Sequence, residues 1–229
     1  MKKIAIMTAG GDCAGLNAAI KSVVMAASKN NIVVVGIIDG FIGFVERKYM
    51  VLDNKIVENI ERQGGTILGS SNKECPFHYP SKEKKDEYED RVDDSIKALR
   101  KIGVEAMIII GGDGTLDSAR VIDEAGMPTI GIPKTIDNDM VASNPTIGFD
   151  TGVENAVEAI RKLKTTAASH RRVMVVEMMG RTSGYLTLYS GFAAGADIIL
   201  LPERDYDLNI VCNRVKEIMS TDKRYVIIA

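Results

Sequence analysis

Short apolar runs rich in β-branched residues alternate along this chain with longer amphipathic segments, and twice a glycine-rich loop stands where the first kind hands over to the second. Residues 4–7 lead into Thr8-Ala9-Gly10-Gly11-Asp12-Cys13-Ala14-Gly15 and then the amphipathic stretch 16–29, and a second apolar run follows at 32–38. The helical pattern at 90–102 precedes the run 106–110, which opens onto Gly111-Gly112-Asp113-Gly114-Thr115. A period of two giving way to a period of 3.6 is the pattern of βαβ units on a parallel sheet. Further strands are expected at 129–132, 173–178, 198–201 and 225–228, and helices at 152–165, 182–195 and 208–219. The fold class is therefore α/β, with a three-layer, Rossmann-like parallel sheet.

At 229 residues the chain is long enough for a well-buried core and for one large or two small domains. Pro145, among small and polar residues between two well-patterned halves, marks a seam, giving domains 1–139 and 140–229. The last five residues, Tyr225-Val226-Ile227-Ile228-Ala229, read as a buried strand with no turn after it, so the second domain is expected to be incomplete.

Net charge is −2 with 45% hydrophobic residues, a globular composition without the basic footprint of a nucleic-acid or anionic-membrane binder. A polyanionic substrate would have to be held by a few placed cations. Three cysteines, Cys13, Cys75 and Cys212, include no C-x-x-C pair, which argues against a disulfide framework or structural zinc and for a reducing, cytoplasmic setting. The apolar run after Met1-Lys2-Lys3 breaks at Thr8, so it reads as neither signal peptide nor anchor, and no stretch approaches the roughly 20 apolar residues of a membrane span. The mixed-charge run 81–91 reads as a solvated helix start or loop.

Glycine lets backbone N–H groups approach phosphate oxygens, and a following helix N-terminus favours negative charge. Neither loop is a Walker A sequence, so the ordinary P-loop site is excluded. Asp113, flanked by glycines at the end of a parallel strand, suits Mg²⁺ beside phosphates, since that ion takes one or two carboxylates plus phosphate oxygens. The run Pro133-Lys134-Thr135-Ile136-Asp137-Asn138-Asp139 places Asp137 and Asp139 two apart; in an extended segment they point one way, with Thr135, and would supply a general base and its support. An Asx-turn, with Asp137 and Asn138 bonding local backbone, is the competing reading. Arg171, Arg172 and Arg181 flank the strand expected at 173–178 and offer planar forks for phosphate. His170 beside them reads as a neighbour-orienting residue, and Thr151-Gly152-Val153-Glu154 as a capping box that starts a helix.

Taken in order, Gly10-Gly11-Asp12, the Gly111 to Thr115 loop, the Pro133 to Asp139 run, Ser169-His170-x-Arg172 and Met179-Gly180-Arg181 closely resemble the 6-phosphofructokinase family across essentially the whole chain. The resemblance implies a phosphofructokinase-like fold and transfer of a phosphoryl group to the 1-hydroxyl of fructose 6-phosphate. Domain 1–139 would bind the donor and domain 140–229 the sugar phosphate. By the same resemblance Asp137 would be the general base and Asp113 the Mg²⁺ ligand. Gly11, Gly112, Gly114 and Thr115 would line the donor phosphates. Thr135, Ile136, Asp139, Met179, Gly180 and Arg181 would contact the sugar phosphate, with Arg181 also near the transferring group. Arg172 would reach the 6-phosphate of a neighbouring subunit, which implies a homo-oligomer.

Within the family, Gly114 resembles ATP users, because an aspartate there would crowd the α-phosphate of a nucleotide. Lys134 resembles pyrophosphate users, where its ammonium stabilises the leaving phosphate. Steric exclusion filters more strongly than a permissive lysine, so ATP is the expected donor. Pyrophosphate, and a catalytically incomplete nucleotide-binding fragment or regulatory subunit, are the alternatives. Asn72 stands where bacterial ATP users carry an arginine, with Lys73 as its substitute, and Cys13-Ala14 replaces the usual Ala-Pro. Of the basic positions resembling the bacterial effector site only Lys21 is kept, with Met25 and Asn54 at others, so nucleoside-diphosphate activation is not expected.

Overall fold

The computed structural model describes residues 1–72, 75–81, 86–141, 143 and 145–229. They form two compact units, Met1–Thr135 and Ile136–Ala229. The seam expected at Asp139 to Pro145 lies just downstream of that division.

The first unit runs β1 (Lys3–Thr8), α1 (Leu16–Lys29), β2 (Val33–Ile37), α2 (Phe41–Glu46), β3 (Tyr49–Leu52), the two-residue strands β4 (Tyr79–Pro80) and β5 (Tyr88–Glu89), α3 (Val92–Lys101), β6 (Ala106–Gly111), α4 (Asp113–Glu124) and β7 (Thr129–Thr135). Its main sheet has the order β3-β2-β1-β6-β7. Strands β2, β1, β6 and β7 are mutually parallel. Strand β3, an edge strand that the sequence reading does not mark, runs antiparallel to β2. Ile38 N–H donates to Lys48 C=O and Lys48 N–H to Gly43 C=O, so the chain folds straight back through α2. A parallel return needs a crossover of about a dozen residues or more, for which this connection has no room.

Alternation decides the layers. Ala5, Met7, Val35, Ile37, Met107 and Ile109 face a core closed by α2, α3 and α4. Ile4, Ile6, Val34 and Ile110 face the opposite way, onto Leu16, Ile20 and Val24 of α1. Side chains two apart share a face of a strand, so each β-branched run is apolar on both sides and needs helices on both. The register pairs Thr8 with Ile110 and Gly111 with Pro133, which brings β1, β6 and β7 to one carboxyl edge. From β1 the chain moves outward to β2, whereas β6 and β7 lie on the other side. The gap between β1 and β6 is thus a topological switch point, where open α/β sheets bind ligands.

The second unit holds β8 (Ile147–Gly148), α5 (Phe149–His170), β9 (Val173–Val175), α6 (Tyr185–Ala194), α7 (Leu208–Met219) and β10 (Val226–Ile228), with β9 and β10 parallel. Ile227 packs with Val157, Ile160 and Ala167 of α5 and Ala194 of α6. Its neighbours Val226 and Ile228 pack the other way, onto Ile218 of α7. Three local expectations are corrected. Helix α5 starts at Phe149 behind Gly148, whose φ is 102°, so Thr151 lies inside the helix and caps nothing. The strand expected at 173–178 stops at Val175, level with the end of β10. The one expected at 198–201 is an isolated bridge from Ile198 to Ile228, not a strand.

Candidate functional site

In the first unit the two glycine loops emerge side by side at the switch point. Ala9 N–H donates to Ile110 C=O at 3.0 Å, and Gly10, at φ 80°, donates to Ser71 C=O at 3.0 Å. A Cβ on Gly10 would lie 3.3 Å from Thr115 Oγ1, and one on Gly111 only 2.4 Å from the Thr115 side chain, so glycine at 111 is required by close packing. Gly11 and Gly114 differ: a Cβ on either meets nothing within 4 Å. Their backbone borders open space beside the first turn of α4, where unsatisfied N–H groups and the helix dipole favour phosphate.

Gly112 is the N-cap of α4 and Asp113 its exposed first residue. Among the described residues no group of three or more His, Cys, Asp or Glu side chains is placed to hold a metal ion. A single exposed carboxylate beside a roomy glycine cradle fits Mg²⁺, which binds through few carboxylates and the phosphates themselves, and does not fit an all-protein metal cage.

Lys134 is 4% exposed near the end of β7, and its ammonium donates to Gly11 C=O. The lysine thus spans from one strand end to the first glycine loop, a position the sequence alone does not reveal. Cys13 lies in the same loop; burial pushes its thiol pKa up, and the Lys134 charge partly offsets this. Thr135, half-buried, ends β7. Asn72 is exposed and borders a cavity of about 390 Å³ together with Gly10, Gly11 and Asp12 of the first loop and Gly65, Thr66, Gly69 and Ser70 opposite. Lys73 lies outside the described residues.

In the second unit Asp137 sits half-buried in a bend. Asn138 is left-handed, φ 51°, and its Oδ1 accepts from Thr146 N–H at 3.1 Å and Thr146 Oγ1 at 3.3 Å. The extended alternation expected to align Thr135, Asp137 and Asp139 is therefore broken at Asn138, because a left-handed residue reverses the chain; Asp139 is exposed. Ile136 is half-buried, its Cβ 3.4 Å from where a Cβ on Gly152 of α5 would stand.

Ser183 joins this bend to the Met179-Gly180-Arg181 segment. Its hydroxyl donates to Asp137 C=O at 2.6 Å and its N–H to Gly180 C=O at 2.8 Å. Gly184 N–H in turn donates to Glu203 Oε1 at 2.7 Å. Met179 and Arg181 are exposed, Arg181 with φ 53°, and Arg172 is exposed just past the C-cap of α5. Ser183 and Glu203 escape the sequence reading because bonds that span tens of residues leave no local pattern. Gly180 has φ +143°, and a Cβ there would lie 2.2 Å from Ser183 C=O. Gly180→Ala is accordingly expected to cost at least about 1–3 kcal/mol of backbone strain, read as a lower Tm in thermal unfolding. An unchanged Tm would show that the turn relaxes freely.

No helix among the described residues is long and apolar enough to cross a membrane. Cys13, Cys75 and Cys212 are free thiols.

The family model described as Phosphofructokinase matches residues 3–229. The chain is 46% identical over 231 residues to a protein named ATP-dependent 6-phosphofructokinase 2 from Clostridium perfringens, covering 100% of this chain and 63% of that protein. A Streptomyces coelicolor protein of the same name is 45% identical over 227 residues, covering 99% of this chain and 64% of that one. The chain thus spans less than two thirds of the length of these relatives. Among solved structures, phosphofructokinase from Saccharomyces cerevisiae superposes with a TM-score of 0.85 at 29% identity, over 100% of this chain and 33% of that one. A pyrophosphate-dependent phosphofructokinase from Marinobacter aquaeolei, at 21% identity and a TM-score of 0.83 over 100% of this chain and 59% of that one, shares the fold.

Proposed function

The chain belongs to the phosphofructokinase family, and from that premise we propose that it carries a donor site and an acceptor site for transferring the γ-phosphoryl group of Mg·ATP to the 1-hydroxyl of fructose 6-phosphate. The products are fructose 1,6-bisphosphate and ADP, made in the cytoplasm. The observation that carries this reading is the open cradle over Gly11 and Gly114 at the switch point, with the Asp113 carboxylate at the head of α4. Phosphoryl transfer asks little covalent chemistry of a protein and depends on alignment and charge neutralisation. That is what glycine N–H groups, a helix N-terminus and one carboxylate supply. Bound there, Mg²⁺ would be held by Asp113 and the donor phosphates and would neutralise their charge.

The remaining roles follow the family resemblance. Asp137 is the general base that accepts the 1-hydroxyl proton, and Arg181 offers its guanidinium to the transferring group. Met179 and Gly180 hold the sugar phosphate. Arg172, exposed past α5, reaches the 6-phosphate bound by a second copy, which makes the working enzyme a homo-oligomer. ATP is the donor because Gly114 leaves the space that a nucleotide α-phosphate needs. The curated relatives named above carry ATP in their names. Lys134 is the observation on the side of pyrophosphate, yet its ammonium is engaged by Gly11 C=O.

Parallel assays of fructose 1,6-bisphosphate formation from fructose 6-phosphate and Mg²⁺ with ATP or with pyrophosphate test the proposal. Product with ATP alone is expected. Product with pyrophosphate alone would move the donor assignment to Lys134, and ATP binding without product from either would make the chain an incomplete donor-binding fragment.

A further inference from the structure

The wall of the donor cleft facing the first glycine loop is residues 63–70, a segment with no regular secondary structure beyond a turn. It keeps its shape through side chains that reach it from the sheet and from α1. Asn17, 4% exposed on the buried face of α1, spends its whole side-chain amide on this segment. Its Nδ2 donates to Gln63 C=O at 3.0 Å and Gly65 C=O at 2.7 Å, and its Oδ1 accepts from Ile67 N–H at 2.9 Å. Thr8, fully buried at the end of β1, adds a second tie. Its hydroxyl donates to Gly69 C=O at 2.8 Å and therefore accepts from Thr66 Oγ1 at 2.9 Å, since it has one proton to give. Asp12 Oδ1 receives Thr66 N–H at 3.1 Å, and Ser70 Oγ donates to Gly10 C=O at 2.5 Å.

A helix of apolar periodicity does not need an asparagine at its second position. Burying an amide is costly unless each polar atom is satisfied, and here each is satisfied by the backbone of one segment. The ties join β1, the first glycine loop and α1 to one segment, residues 63–70, whose Gly65, Thr66, Gly69 and Ser70 line the 390 Å³ cavity opposite that loop.

Resting on the donor-site reading above, we infer that Asn17 is a positioning residue for the phosphoryl donor, with Thr8 as its partner, acting through the Gly65 to Ser70 wall and not by touching the donor. A wall that drifts by about 1 Å can cost as much as 10²-fold in a site that works by alignment. Asn17→Asp keeps the size and the Oδ1 acceptor but turns both donors into acceptors against two carbonyls. The expected result is a rise of roughly 10- to 100-fold in the Kd and KM for Mg·ATP, with the KM for fructose 6-phosphate unchanged. Thr8→Val, which keeps the shape and removes the hydroxyl, should move donor affinity in the same direction, and Thr8→Ser should restore it; this pair serves if Asn17→Asp does not fold. A lower Tm with unaltered Mg·ATP affinity in both variants would overturn the inference, as would equal losses for donor and acceptor. Wild-type protein that binds neither Mg·ATP nor pyrophosphate in the same titration would instead overturn the donor-site reading itself, and the inference with it.

Discussion

Asp137→Asn is expected to lower turnover by about 10²–10⁴, equivalent to roughly 3–5 kcal/mol in the barrier, with donor and acceptor binding retained. The bend around Asp137 is built from backbone and from neighbouring side chains. Ser183 Oγ donates to Asp137 C=O at 2.6 Å, and Asn138 ties the next residues to Thr146. An amide matches the carboxylate in shape and leaves both ties in place, so it removes the proton acceptor and little else. The measurement is kcat at saturating substrates, alongside a direct Kd for fructose 6-phosphate. Turnover within tenfold of wild type would exclude Asp137 as the base, and a loss confined to KM would turn it into a binding residue.

Much of this architecture is legible in the chain because the relevant signals are local. The alternation of Ile4 and Ile6 with Ala5 and Met7 assigns both faces of β1 before any tertiary contact is considered. The glycine pair at 111 and 112 followed by Asp113 marks a strand-to-helix turn, and at Gly111 the packed Thr115 side chain is the physical reason for glycine. What stays hidden depends on partners far along the chain. The left-handed turn at Asn138 is stabilised by Thr146, so the Asp137 to Asp139 spacing suggests an extended segment that does not form. Thr151 to Glu154 satisfies a capping pattern, but Gly148 takes the left-handed position first and the helix has begun by the time Thr151 is reached. Asn17 looks like a polar interruption of an apolar stripe until its partners at residues 63–67 are known. Lys134 resembles, in the sequence, a residue whose ammonium stabilises a leaving phosphate; its bond to the carbonyl of Gly11 depends on a loop more than a hundred residues away.

Gly114→Asp is expected to separate stability from donor use. Gly114 is the second residue of α4, and an added Cβ meets nothing within 4 Å, so the substitution introduces no clash. A carboxylate in the first turn of a helix gains about 0.3–1 kcal/mol from the dipole, and replacing glycine in a helix adds up to about 1 kcal/mol. Tm should therefore hold or rise. The same carboxylate would stand in the space assigned to the donor. Two like charges about 4 Å apart repel by roughly 1 kcal/mol in water and roughly 4 kcal/mol at a protein surface, so KM for ATP should rise by about 5- to 1,000-fold. A donor without an α-phosphate, such as pyrophosphate, would escape the steric part of this penalty. The informative quantity is the ratio of the two donors' kcat/KM in wild type and variant, which should shift toward pyrophosphate. An unchanged KM for ATP in a stably folded variant would place the nucleotide elsewhere than over Gly114, and the reading of Gly114 as the residue that admits it would fall.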